Sequence, residues 1–148
     1  MKNLLLPYYF KYIGYLLLLL AIAFTVGYTW FDFRLMIPVF AVYSSFIETK
    51  MFVSFRTNFA DELIMILFLT ALIFLVFASE KDEKREYYFI RFRSLVLAVI
   101  SNAVMLLFSI IFIYGAGFFS ILIFNMISLY LFYLIFFYIL KKRNQLNH

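Results

Sequence analysis

The sequence predicts an all-α membrane protein, a bundle of four transmembrane helices with a short extracytoplasmic β-hairpin between helices 1 and 2. Hydrophobic residues make up 67% of the 148-residue chain and charged residues only 14%, whereas soluble domains are near half apolar and a quarter charged. A soluble domain of this length has no room to bury so much apolar surface. Four segments also approach the roughly 20 apolar residues that cross a bilayer core about 30 Å thick.

The four apolar segments define a single integral membrane domain over residues 1–148. The stretch between Arg93 and Lys141 contains no charged residue and is too long for one helix. We therefore expect Gly115 and Gly117 to break it into a helical hairpin. The predicted spans are about 12–30, 62–78, 95–114 and 118–140, joined by an outer loop at 31–61, a cytoplasmic loop at 79–94 and a cytoplasmic tail at 141–148.

The distribution of lysine and arginine predicts the orientation of the chain. Ten of the 13 basic residues precede the first span or lie in the 79–94 loop and the tail, and the other three lie in the outer loop. We expect a multi-pass protein of the bacterial cytoplasmic (inner) membrane with both termini in the cytoplasm. The alternative is a cleaved signal peptide ending at Ala21-Ile22-Ala23, which is disfavoured because the apolar run continues to Tyr28.

The outer loop is predicted to form the hairpin. Pro38–Tyr43 and Met51–Phe55 are rich in β-branched and aromatic residues and are separated by polar positions within residues 44–50. This pattern is typical of two short strands. Because an isolated hairpin is marginally stable in water, we expect it to lie on the outer membrane face and to lean on the helix ends. The alternative is an interfacial helix over Leu35–Ile47, which Pro38 disfavours.

The second helix has a predicted start. Asn58 precedes Asp61 and Glu62, which is the order expected of a side-chain cap followed by acids near the positive end of the helix dipole. We expect the helix to begin between them.

The 79–94 loop is predicted to continue the second helix as a solvated elbow. Glu80 and Lys84 stand four residues apart, a spacing that supports a helix. The aromatic run Tyr87–Phe92 is predicted to be interfacial, with its bases against anionic lipid headgroups; aromatics at membrane depth disfavour nucleic-acid binding. The candidate contacts with headgroups or a protein partner are Lys81, Lys84, Arg85, Arg91, Arg93, Lys141, Lys142 and Arg143.

Polar side chains inside the spans are predicted to pack against neighbouring helices. An asparagine in lipid needs a partner on another helix, and folding the last two spans about Ala116 places Asn102 level with Tyr130. Counting from the outer surface places the other polar residues in one layer of the bundle interior. The residues predicted to form this intramembrane polar packing are Thr25, Thr70, Asn102, Ser109, Asn125 and Tyr130.

Small residues form a stripe on the first and third spans, where a neighbouring helix can approach closely. Gly14, Ala21 and Thr25 lie along the first span. On the third span, the stripe comprises Ser94, Ala98, Ser101 or Asn102, Met105 and Ser109.

Several short motifs lie along the chain at distinctive spacings. They are Ala98-Val99, Asn102, Phe112-Ile-Tyr-Gly115, Phe118 and Asn125-Met126, with Ser54-Phe-Arg-Thr-Asn58 in the outer loop. With these motifs the chain resembles a family of small four-span bacterial membrane proteins of unknown function. The resemblance implies the four-span architecture and no assigned reaction. Members tend to be encoded beside a small helix-turn-helix transcription regulator, which implies a regulatory partnership.

No catalytic, cofactor-binding or metal-binding residue is predicted. His148 is the single histidine and there is no cysteine, and no nucleophile–base pattern or glycine-rich phosphate loop occurs. We do not expect the protein to be an enzyme. We expect a regulatory or interaction protein that anchors or senses a partner through the cytoplasmic loop and tail. The partner is expected to be another protein or, in a homo-oligomer, a second copy of the chain. The alternative is a subunit of an oligomeric pore or small-molecule transporter lined by asparagine and serine.

Overall fold

The computed structural model describes residues 5–31, 34–44 and 50–146 and contains four helices and one two-stranded sheet over that part of the chain. The turn predicted within residues 45–49 lies outside the described residues, as do Lys2 and His148. In chain order the elements are α1 (Tyr9–Phe31), β1 (Met36–Ser44), β2 (Lys50–Asn58), α2 (Ala60–Phe77), α3 (Glu86–Phe112) and α4 (Ala116–Leu146).

All four helices are long and apolar enough to cross a membrane, which confirms the prediction of four apolar helices of that length. The helices extend beyond the predicted apolar segments. α3 has 27 residues and α4 has 31, so at 1.5 Å per residue they are about 40 and 46 Å long. Each is longer than a bilayer core of about 30 Å, and the excess lies mainly at the start of α3 and the end of α4.

The helix predicted to continue from α2 through residues 80–84 is absent. α2 ends at Phe77, and residues 78–85 contain no helix. The backbone N–H of Ser79 donates to the carbonyl of Leu6 at 2.8 Å, and the N–H of Leu6 donates to the carbonyl of Phe77 at 2.9 Å. Because these groups bond to the segment before α1, they are unavailable to another helical turn.

The chain divides into two compact units. The smaller unit, Leu16–Thr70, contains the hairpin, and the larger unit comprises Met1–Tyr15 and Ala71–His148. The larger unit therefore holds the first turns of α1, the last turns of α2, and all of α3 and α4.

In the smaller unit, β1 and β2 pair antiparallel from Met36 opposite Asn58 to Ser44 opposite Lys50. The predicted hairpin is confirmed, and the alternative of an interfacial helix is wrong. Exposure alternates over residues 36–40 of β1, with Met36, Pro38 and Phe40 exposed. Proline is tolerated because each strand of a two-stranded sheet has a free edge that needs no N–H donor.

The hairpin is joined to the start of α2 by the side chain of Asn58. Its Oδ1 accepts from the backbone N–H of Leu35 at 2.9 Å and of Ala60 at 3.3 Å. Asp61 and Glu62 occupy the first turn of α2. The predicted cap is therefore present, and the same oxygen also holds the open end of the hairpin.

In the larger unit, α1 approaches α2 closely at Gly14. A Cβ built on Gly14 would lie 3.0 Å from Cγ of Leu75 and 3.2 Å from the carbonyl oxygen of Ala71. Gly14 is buried, and four residues before it Phe10 packs edge-on against Phe74 with ring centroids 5.1 Å apart. The small residue predicted at this position of the stripe thus permits a backbone contact that any side chain would obstruct.

Replacing Gly14 by alanine is expected to lower the melting temperature of the protein in detergent micelles. Overpacking against Leu75 and a backbone carbonyl costs about 1–3 kcal/mol. This cost outweighs the gain of about 1 kcal/mol that alanine brings as the better helix former. The matched control is Gly27→Ala on the same helix, where no atom lies within 4 Å of the added Cβ. A melting temperature for Gly14→Ala equal to that of Gly27→Ala would contradict the close approach.

Candidate functional site

Charged and aromatic side chains converge at one end of the larger unit, where α1 and α3 begin and α2 and α4 end. The residues come from three helices and from the 78–85 loop. We call this group the end cluster and define it by Lys11, Glu80, Glu83, Arg91, Tyr133, Phe137 and Lys141.

Arg91, in the second turn of α3, binds the end of α2. Its Nη1 donates to the carbonyl of Val76 at 3.2 Å, and Nη2 donates to that of Ala78 at 3.0 Å. Nε and Nη2 donate to the two carboxylate oxygens of Glu83 at 3.1 and 3.2 Å. The carbonyls at a helix end lack partners within the helix and carry partial negative charge, so a guanidinium both satisfies and neutralises them.

Aromatic side chains of α4 enclose the Arg91 guanidinium. The hydroxyl of Tyr133 lies 3.4 Å from Nη1, and the guanidinium carbon lies 4.7 Å from the ring centroid of Phe137. The two rings are parallel within 2°. The planar guanidinium group of arginine can donate to two carbonyls and a carboxylate while one of its faces lies against an aromatic ring. The ammonium group of lysine has too few donors for these contacts.

Glu80 links the start of α1 to the end of α4. Lys11 Nζ donates to its Oε1 at 2.5 Å and Lys141 Nζ to its Oε2 at 2.8 Å. Only 10% of the Glu80 side chain is exposed. Burial alone would raise the pKa of this carboxyl group, but the hydrogen bonds and positive charges of the two lysines outweigh burial and lower the pKa below its ordinary value.

These bonds fix the 78–85 loop. Glu83 Oε2 also accepts from the backbone N–H of Glu80 at 2.7 Å, and the Glu83 side chain is only 8% exposed. The loop is therefore an ordered connection with two carboxylates turned inward, whereas the sequence predicted a solvated helical elbow with Glu80 beside Lys84. The long-range partners of Glu80, on α1 and α4, were not visible in the local spacing.

The structure divides the eight bases predicted to contact lipid or a partner into two groups. Arg91 and Lys141 are engaged in the end cluster, which corrects their predicted role in external contacts. Tyr87, predicted to be interfacial, is only 4% exposed, and the Lys141 ammonium lies 5.4 Å from its ring centroid. The bases that remain exposed are Lys81, Lys84, Arg85, Arg93, Lys142 and Arg143.

A second polar site joins α3 to α4 within their spans. Asn102 Nδ2 donates to Asn125 Oδ1 at 3.2 Å, and Asn125 Nδ2 donates to the backbone carbonyl of Asn102 at 3.3 Å. The Ser128 hydroxyl donates to Asn102 Oδ1 at 2.5 Å. Both asparagines therefore have a partner on the other helix, as predicted.

The partner predicted for Asn102 was wrong, because Asn125 and Ser128 occupy the place expected of Tyr130. α3 ends at Phe112 and α4 begins at Ala116, so the turn is centred on Tyr114, two residues before the predicted centre. A shift of two residues in the centre of a helical hairpin moves the facing position by four residues. The facing position then lies between Asn125 and Ser128.

Two of the remaining polar residues of the predicted layer bond within their own helices. The hydroxyl of Thr25, an exposed residue of the smaller unit, donates to the carbonyl of Ala21 at 2.8 Å. Ser109 is buried, with its hydroxyl donating to the carbonyl of Met105 at 2.8 Å. Thr70 is half-buried. The convergence of Thr25 and Thr70 with Ser109 and Asn125 stays a prediction, because these residues belong to different units.

Three residues of the small-residue stripe of α3, Ser94, Ala98 and Ser109, are buried, and Ser94 and Ala98 are fully inaccessible. The buried polar side-chain atoms in the described ranges all have hydrogen-bond partners. Within those ranges, no group of three histidine, cysteine or acidic side chains is placed to hold a metal ion. The carboxylates of the end cluster are ion-paired, so the end cluster acts as a structural tie between helices. The exposed bases are left for contacts with a partner or with lipid.

Sequence reasoning missed Lys11, Glu80, Glu83, Tyr133 and Phe137 as members of one site. The available indication was Arg91, which stands alone in the apolar and aromatic run Tyr87–Phe92. A charge in such surroundings needs a buried partner, but spacing along the chain does not identify residues 8, 42 and 46 positions away.

Comparisons with known proteins give no relative of this chain. No protein-family model matches the sequence, and no curated protein or solved structure is similar to it.

Replacing Arg91 by glutamine is expected to destabilise the protein by about 3 kcal/mol, because it leaves a buried carboxylate and two helix-end carbonyls without their donor. Thermal or denaturant unfolding in detergent measures the change. The matched control is Arg93→Gln, an exposed arginine two residues away whose loss is expected to cost no more than about 0.5 kcal/mol. Equal effects of the two variants would contradict the capping role of Arg91.

Acidification is expected to destabilise the wild-type protein more than the Glu80→Gln variant. Since folding lowers the pKa of Glu80, its ion pairs stabilise the protein above the ordinary value of 4.5 and are lost as the pH falls through the lower folded value. Melting temperatures between pH 7 and pH 3 measure the difference. Asp82→Asn, an exposed loop acid, is the control and should retain the wild-type pH dependence.

Proposed function

We propose that the chain is a four-span protein of the bacterial cytoplasmic membrane that works by binding a partner rather than by catalysis. Four helices of membrane-spanning length support the placement, and the excess of lysine and arginine around the 78–85 loop supports a cytoplasmic position for it. In this proposal the loop is the surface presented to a protein in the cytoplasm.

The observation that carries the proposal is the fixed shape of the loop. Glu80 and Glu83 turn inward to Lys11, Lys141 and Arg91, so the exposed side chains of the loop are three bases and Asp82. A binding surface that is already ordered loses less conformational entropy on association than a flexible one. The ordered loop with the exposed bases Lys81, Lys84 and Arg85 therefore suits an acidic protein surface.

The bonds between Asn102, Asn125 and Ser128 weigh against the alternative of a pore. These are the strongest polar groups within the spans of α3 and α4, and they are directed at each other. A water-filled pore needs polar groups that face its lumen. The regulatory partnership implied by the resemblance is compatible with a soluble cytoplasmic partner and remains part of the proposal.

Photocrosslinking in native membranes tests the proposal. A photoreactive residue at Asp82 is expected to form a stoichiometric adduct with one cytoplasmic protein, while the same residue at Tyr114, exposed in the turn between α3 and α4, is expected to form none. The adduct partner is then purified, and its affinity for the reconstituted protein is measured. An adduct with a second copy of the chain, together with ion conductance in liposomes, would instead support a pore.

Variants separate specific contacts from general charge. Lys81→Gln with Lys84→Gln is expected to weaken partner binding about fivefold, given about 0.5 kcal/mol for each exposed ion pair. Arg34→Gln with Arg56→Gln removes the same charge from two exposed bases elsewhere in the chain and should leave the affinity within about twofold. Glu80→Gln keeps all exposed bases but frees the loop, so weaker binding by this variant would identify the order of the loop as the cause.

A further inference from the structure

The first turns of α3 and the last turns of α4 enclose an open groove of about 560 Å³. The apolar part of its lining is formed by Phe89, Ile90 and Leu140. Arg93 and Arg143 also line it. The groove thus combines two cations with a hydrocarbon-like wall, which is a composition suited to an amphiphile rather than to a simple ion.

The two arginines are available to a ligand. Arg93 and Arg143 are exposed and make no ion pair within the described part of the chain. Arg91, two residues before Arg93, points the other way and is fully engaged in the end cluster. The groove also contains Glu86, whose carboxylate accepts from Asn144 Nδ2 at 3.0 Å, so a net positive charge remains.

The groove lies where α3 and α4 exceed the bilayer core. The predicted apolar spans cover 95–114 and 118–140, and the groove is formed by residues 86–93 and 140–144. At 1.5 Å per residue, the part of α3 that precedes residue 95 is about 13 Å long, which is enough to cross the headgroup region of one leaflet, about 5–8 Å deep. Phe89, with 79% of its surface exposed, stands beside the cations at this level.

We propose that this groove binds one anionic phospholipid of the cytoplasmic leaflet, with the phosphate against Arg93 and Arg143 and an acyl chain against Phe89, Ile90 and Leu140. The proposal rests on the membrane placement proposed above. A guanidinium fork matches the oxygens of a phosphate, and basic pockets between transmembrane helices on the cytoplasmic side suit anionic headgroups. An acidic peptide would satisfy the arginines but would leave the exposed aromatic ring without an apolar partner.

Native mass spectrometry of the full chain released from detergent tests the site. The probes are phosphatidylglycerol and phosphatidylcholine with identical acyl chains, titrated separately. The wild-type protein is expected to retain one phosphatidylglycerol with at least about tenfold preference over phosphatidylcholine, as two cations near an anionic headgroup imply. Equal retention of the two lipids would overturn the proposal.

The variant Arg93→Gln with Arg143→Gln is expected to lose that preference, while the charge-matched pair Arg34→Gln with Arg56→Gln, two exposed bases outside the groove, retains it. Equal losses in the two pairs would show general electrostatic attraction and would overturn the proposal. If the first pair does not fold, Arg93→Lys with Arg143→Lys keeps the charge but removes the fork, and a severalfold weaker retention is expected. Retention unchanged in the lysine pair would overturn the role of the guanidinium groups.

One further measurement shows whether the bound anion is a lipid, a free phosphate or an acidic peptide. Another separates a failure of the membrane placement from a failure of the groove proposal. Glycerol phosphate, which lacks acyl chains, and poly-glutamate should displace phosphatidylglycerol only weakly; effective displacement by either would overturn a lipid site. Flotation of the wild-type protein with phosphatidylcholine vesicles reports membrane association by itself. Failure to float would overturn the membrane placement, whereas flotation without lipid preference would overturn only the groove.

Discussion

The last carbonyls of α2 have no hydrogen-bond partner within their own helix, and this constraint organises the larger unit. Val76 and Ala78 are buried, so water does not satisfy the last carbonyls of this helix. Arg91 supplies donors to Val76 and Ala78, while the segment before α1 supplies the N–H of Leu6 to Phe77. Arg91 of α3 and the backbone of the segment before α1 therefore end α2 and attach it to two other parts of the chain.

Holding a guanidinium in this position requires the rest of the end cluster. The charge is balanced by Glu83 and its face is covered by Phe137, so that burial is compensated by a carboxylate and an aromatic ring. Glu83 in turn fixes the backbone of Glu80, which brings the carboxylate of Glu80 to Lys11 and Lys141. The structural tie and the ordered loop are consequences of the same set of bonds.

This organisation sorts basic residues that look equivalent along the chain. Arg91 and Arg93 are separated by one residue, and a helix turns about 100° per residue. One side chain therefore faces α2 and α4, and the other faces the groove beside Phe89. The inward bases stabilise the fold, and the exposed ones form the two surfaces to which we assign a protein partner and a lipid.

Much of the architecture followed from composition and local pattern. Membrane-spanning length, the break at Gly115 and the β-branched and aromatic content of Pro38–Tyr43 are properties of consecutive residues, so the sequence predicted four helices and a hairpin. The Asn58 cap and the burial of Gly14 and Ala98 were predictable for the same reason. The end of α2 was not predictable in this way. Glu80 and Lys84 have the spacing of a helix, and the groups that bond to the end of α2 lie far away in the chain, in the segment before α1 and in α3.

The sequence by itself determined that the chain has four long apolar helices with a hairpin after the first and that its asparagines need partners on other helices. Only the tertiary structure decided which partners those are. The length of the turn before Ala116 set Asn102 against Asn125, and the meeting of four helix ends selected Arg91, Glu80 and Glu83 for the interior. Periodicity reports which face of a helix a residue occupies, whereas register and burial depend on groups far away in the chain.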